Sequence, residues 1–143
     1  MIQLKSSVYP LISAEGGDQI PGSQRILIVD DDIDVAQLLA MLLRDANYDV
    51  EFVENGQAAL ESVQSCPPDI VLLDIGLKGM DGYEVARRVR ALPRRKKMLL
   101  VALTGHGQED DRQQALEAGF DSHVTKPVSL ETLEEAFSLL GRP

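Results

Sequence analysis

One cysteine, two histidines and no apolar run of membrane length are the first features of this 143-residue chain. Cys66 alone cannot form an internal disulfide, so no covalent staple holds the fold. The longest apolar runs, Ile26–Val29, Ile70–Leu73 and Met98–Leu103, fall far short of the roughly 20 residues that cross a bilayer as a helix. Met1 is followed by no basic region with a compact apolar stretch behind it, which together with the single thiol predicts a cytoplasmic chain. The His/Cys ligand set that zinc prefers is missing, as are internal repeats and low-complexity tracts. Basic residues are scarce too: 14 Lys and Arg stand against 23 Asp and Glu, a net charge of -9. A nucleic-acid role would have to overcome that repulsion with a strong local patch. Half of the basic residues do fall together, as Arg87, Arg88, Arg90, Arg94, Arg95, Lys96 and Lys97. No aromatic residue interleaves them and no helix-turn-helix follows, so the stretch is expected to be a solvated helix-to-strand connection rather than a nucleic-acid interface.

What remains is 44% hydrophobic and 26% charged, the balance of one globular domain with a single core. Residues 1–24 lack sustained periodicity and carry Pro10, Gly16, Gly17, Pro21 and Gly22, which predicts a flexible tail or linker ahead of a folded unit at 25–143. From Arg25 onward, short Val/Ile/Leu-rich runs alternate with segments of helical periodicity, the pattern of an α/β parallel sheet covered by helices on both faces. The expected strands are 25–30, 49–53, 69–74, 98–103 and 121–125. Helices are expected at about Ile33–Asn47, Gly56–Ser65, Gly82–Leu92, Gln108–Ala118 and Leu130–Leu140. Asp32 or Asp34 can cap the first helix and Ser129 the last, while Pro67-Pro68 and Pro93 stop the second and third. Leu133, Ala136, Phe137 and Leu140 share one helical face, and Ala115, Leu116 and Phe120 read as ordinary core.

In an open parallel sheet, ligands bind outside the carboxyl ends of the strands. There the chain places Asp30-Asp31-Asp32, Asp74, Thr104 and Lys126-Pro127. Acidic residues at a helix start can simply cap it and favour its dipole, and Asp32 is expected to do so. Asp30 and Asp31 acquire a further role because Asp74 and Lys126 end nearby strands. Converging carboxylates are tolerable only with protons or a divalent cation, and Mg2+ fits an all-oxygen set that leaves room for water. With a cation bound, one carboxylate can act as nucleophile toward a phosphoryl group, with a lysine and a hydroxyl on its equatorial oxygens. Asp74, Lys126 and Thr104 match those roles.

Ile26-Leu-Ile-Val-Asp30-Asp31, Leu72-Leu-Asp74, Gly79-Met-Asp-Gly82, Ala102-Leu-Thr104-Gly105 and Lys126-Pro127, in this order, resemble the receiver domain of two-component response regulators. The resemblance implies a flavodoxin-like (βα)5 open sheet with strand order 2-1-3-4-5. It also implies that Asp74 is the phosphoacceptor, and that Asp30, Asp31, Asp74 and the Gly76 backbone carbonyl hold Mg2+. Thr104 becomes the switch hydroxyl and Lys126 the phosphate-facing cation, with a cis peptide before Pro127. His123 stands where the family often places a switching aromatic residue and adds a pH dependence that such a ring lacks. The resemblance also places His106 at a position that in the family faces the phosphoryl group. Lys78 replaces a common proline, which implies a looser and more cationic loop. The implied phosphodonor is a histidine kinase or a histidine phosphotransfer protein, acting on a stand-alone regulator or on the receiver of a hybrid kinase. Such a module is not a conventional enzyme. A rival reading is an Mg2+-dependent phosphohydrolase with Asp30 as nucleophile, weakened because Asp34 stands where its signature requires Thr or Val. An FMN-binding flavodoxin fails because its phosphate loop should be rich in Ser, Thr and Gly.

Overall fold

The computed structural model describes residues 24–93, 97–105 and 112–138. The segment 1–23, Arg94, Arg95, Lys96, His106, residues 108–111 of the fourth expected helix and Leu140 lie outside them. Five strands, β1 (Arg25–Val29), β2 (Asp49–Val53), β3 (Ile70–Asp74), β4 (Leu99–Thr104) and β5 (Ser122–Thr125), alternate with five helices. These are α1 (Ile33–Asp45), α2 (Gly56–Ser65), α3 (Gly82–Ala91), α4 (Arg112–Ala118) and α5 (Leu130–Phe137). All strand pairs are parallel, and the sheet order is β2-β1-β3-β4-β5.

Side chains alternate across a strand, and the central strands use both faces. Leu27, Val29, Val71, Leu73, Leu100 and Ala102 pack with α2 and α3 through Ala59, Val63, Val85 and Val89. Ile26, Ile28, Ile70, Leu72, Leu99, Val101 and Leu103 pack with α1 and α5 through Leu39, Leu43, Leu133 and Phe137. Burial on both faces is why these strands read as continuous apolar runs rather than as an alternation.

Local chemistry sets the ends. Asp32 caps α1 by accepting the Val35 N–H, and Ser129 and Thr132 form a capping box on α5. α1 stops at Asp45, two residues before its expected end, because Asn47 takes a left-handed φ of 76°, a conformation that asparagine tolerates better than most residues. Leu92 is extended, as a residue before proline must be, so α3 closes at Ala91.

Two expectations fail. Leu116 is 59% exposed rather than core, whereas Phe120 is buried and Ala115 packs beside it; on so short a helix, spacing alone does not decide which residues face inward. The basic stretch is not wholly a solvated connection either. Arg87 and Arg88 do lie at the surface, paired with Glu84, and they hold its carboxyl below the ordinary value. Arg90 instead donates to the carbonyls of Gly119 and Met98 at 2.9 Å and to Asp121 at 2.7 Å. Asp121 in turn accepts the Leu100 N–H, so a single guanidinium ties α3 to the starts of β4 and β5.

Candidate functional site

Parallel register brings the carboxyl ends of β1, β3, β4 and β5 to one edge. Asp30 follows β1 directly, Asp74 ends β3 opposite Leu103, and Thr104 ends β4 opposite Thr125. The Lys126 N–H donates to the Thr104 carbonyl at 2.7 Å, so the residue after β5 is fixed against the end of β4. The Lys126-Pro127 peptide is cis, as the resemblance implied.

One carboxylate oxygen from each of Asp30, Asp31 and Asp74 lies within 4.8 Å of the others. Asp30 is fully buried. Its Oδ1 accepts the Asp32 N–H at 3.0 Å and its Oδ2 the Lys126 ammonium at 3.3 Å. Burial pushes its carboxyl above the ordinary value and the Asp74 charge adds to the rise, against the opposing pull of the Asp32 N–H and Lys126. Asp74 is 13% exposed, accepts the Gly76 N–H at 3.0 Å, and lies 3.7 Å from Lys126. Lys126 therefore sits closer to Asp30 than to Asp74. The Thr104 hydroxyl is buried and, among the described residues, has no hydrogen-bond partner. Leaving such a group unpaired costs free energy, so it is poised for an acceptor brought by a ligand or modification.

Three hard oxygen donors around a buried, mutually repelling centre are the donor set of Mg2+, and no nitrogen or sulfur ligand competes among them. The residues fit that ion.

Gly82 shapes the loop beneath Asp74. A Cβ at Gly82 would stand 2.7 Å from the Asp74 carbonyl oxygen and closer still to the Ile75 Cα, both of them backbone. Gly82→Ala is expected to cost about 2–3 kcal/mol, read as a lowered urea midpoint, and to weaken cation binding by displacing Asp74. Wild-type stability in this variant would show that the loop is not held where described.

Asp30, Asp31, Asp74 and Lys126 come together at this edge, and Thr104 ends β4 beside them. Gly76 lies in the exposed turn after β3, and His123 is exposed on β5, opposite Ala102. Sequence reasoning missed an apolar face beside the site. Leu38 and Met41 on α1 are 65% and 61% exposed. A cavity of about 530 Å³ adjoins Leu38, lined also by Val35, Leu39, Leu103, Pro127 and Val128 next to Lys126. Leu38 and Met41 fall off the stripe formed by Ala36, Leu39, Ala40 and Leu43, which was the available signal.

Residues 26–138 match the response regulator receiver domain family, and the chain belongs to it. It is 40% identical over 103 residues to an uncharacterized 14.6 kDa protein of Leptolyngbya boryana, covering 72% of this chain and 79% of the relative. Identity to the transcriptional regulatory protein ResD of Bacillus subtilis (strain 168) is 38% over 105 residues, 73% of this chain, but the match spans only 42% of ResD. A solved CheY-like response regulator receiver domain from Methylobacillus flagellatus superposes with a TM-score of 0.77 at 28% identity, covering 83% of this chain and 99% of that one. Receiver domains are phosphoacceptor modules of two-component signalling and not conventional multiple-turnover enzymes, which sets the phosphohydrolase reading aside.

Proposed function

We propose that Asp74 takes a phosphoryl group from a phosphohistidine of a histidine kinase or histidine phosphotransfer protein. The observation that carries this reading is Asp74 within 3.7 Å of the Lys126 ammonium, at the same sheet edge as the Thr104 hydroxyl, which has no hydrogen-bond partner among the described residues. An Asp74 carboxylate oxygen attacks phosphorus in line, and the P–N bond breaks with its electron pair leaving on the donor imidazole. Lys126 and Thr104 then bind the phosphoryl oxygens; Thr104 gains an acceptor that it lacks among the described residues, and Lys126 exchanges part of its attraction to Asp30 for the new charge. Asp30, Asp31, Asp74 and the Gly76 carbonyl would hold Mg2+, which when bound supplies positive charge against the phosphoryl oxygens.

The groove between α1 and the segment after β5 offers a protein donor apolar area beside Lys126. Contacts made only in the phosphorylated form shift an existing equilibrium between two states. Thr104 and His123 are the residues through which that shift reaches the partner-binding surface of the fourth and fifth strand-helix units. The receiver unit is assigned to residues 25–143, with 1–24 as the preceding tail or linker. No helix among the described residues is long and apolar enough to cross a membrane. The unit is assigned to the cytoplasm, with no direct nucleic-acid contact.

Intact-mass spectrometry after incubation with acetyl phosphate, with and without Mg2+, tests this. Trypsin cleaves after Arg25, Arg44 and Lys78, which separates Asp30 and Asp31 from Asp74. The expected result is one base-labile phosphoryl group, dependent on Mg2+, on the peptide 45–78. A label that forms equally without Mg2+, or that sits on the peptide 26–44, would contradict the assignment.

A further inference from the structure

Each of the three clustered carboxylates accepts one backbone N–H. For Asp30 and Asp74 the donor lies two residues further along the chain, at Asp32 and Gly76. These bonds form within the local turn whatever the rest of the fold does. Asp31 differs: its Oδ2 accepts the N–H of Lys78, 47 residues away, at 3.2 Å. Among the described residues this is the hydrogen bond that orients the Asp31 side chain, and it joins the loop after β1 to the loop after β3. A proline at this position has no N–H and would leave Asp31 without the bond.

We propose that Lys78 is a positioning residue for divalent-cation binding, acting through its backbone amide and not its ammonium group. The proposal rests on the reading of Asp30, Asp31 and Asp74 as cation ligands. A carboxylate that must meet a cation together with two others is more effective when its rotamer is already set, and outer hydrogen bonds to such ligands commonly carry about tenfold or more in affinity. The Lys78 side chain is exposed, so water and salt screen its charge and its loss costs little. The two parts of the residue thus predict opposite outcomes for two substitutions at one position.

The test is isothermal titration of the unphosphorylated protein with MgCl2, comparing wild type, Lys78→Pro and Lys78→Met. Lys78→Pro is expected to weaken Mg2+ binding about tenfold, whereas Lys78→Met, which keeps the N–H, stays within about twofold of wild type. Because proline can disturb the loop by itself, amide hydrogen exchange provides a second reading on wild type and Asp31→Ala. The Lys78 amide should exchange well below its intrinsic rate in wild type and lose that protection in Asp31→Ala. Equal Mg2+ affinity in folded Lys78→Pro, or an unprotected Lys78 amide in wild type, would overturn the proposal while leaving the cation site standing. A tenfold loss in Lys78→Met would also overturn it, by moving the role to the ammonium group. Failure of wild type to bind Mg2+ would overturn the cation reading and this proposal with it.

Discussion

Asp74→Asn is expected to reduce phosphoryl uptake from acetyl phosphate to below about a hundredth of the wild-type rate, as loss of a nucleophile does when no neighbour can replace it. The substitution is close to isosteric, and the amide oxygen can still accept the Gly76 N–H that holds the side chain now. What disappears is the carboxylate charge, and with it the lone-pair basicity needed to attack phosphorus. Asp30 cannot take over readily: it is fully buried and engaged by Asp32 and Lys126. Removing the Asp74 charge also relieves one of the causes that raise Asp30, so the variant should fold at least as stably as wild type. Intact mass and thermal denaturation on the same samples check both halves. Uptake at the wild-type rate by a folded Asp74→Asn would place the acceptor elsewhere.

The sheet and its order were legible because three strands are buried on both faces and stand out as unbroken apolar runs, while caps and prolines punctuate the helices. Strand ends shifted by single residues, as at β4 and β5, because pairing with a neighbour decides where a strand begins and the chain carries no local mark of it. The site was legible for a related reason: Asp30, Asp74, Thr104 and Lys126 each sit at the end of a strand, and a parallel sheet brings such ends together. Long-range polar ties were not legible. Arg90 looks like its neighbours Arg87 and Arg88, yet only Arg90 meets Asp121 and two carbonyls. Nothing near Lys78 in sequence announces a bond to Asp31. Leu116 shows the reverse error, an apolar residue that the fold leaves exposed.

Asp30→Asn is expected to raise stability and weaken cation binding in one step. Burial pushes the Asp30 carboxyl above its ordinary value of 3.8, so the folded state holds a proton that the unfolded chain releases. Stability therefore falls as pH rises from that ordinary value through the raised folded-state value, as the buried charge and its penalty appear. Asparagine removes the penalty and still accepts the Asp32 N–H. Lys126, already 3.7 Å from Asp74, keeps a carboxylate partner. The gain should show as a higher Tm than wild type at pH 7. The advantage over wild type should shrink as pH is lowered toward 4, because Asp30 then becomes neutral by itself. Over the same substitution, Mg2+ affinity should fall by at least about tenfold if Asp30 is, as proposed, a ligand and not merely a support. Thermal denaturation between pH 4 and 7, beside Mg2+ titration, reads both effects. A Tm difference that does not change with pH would mean that Asp30 is not the strained charge, and unchanged Mg2+ affinity would remove it from the ligand set. If both effects are observed, this carboxylate is retained at a cost in stability that its role at the site explains.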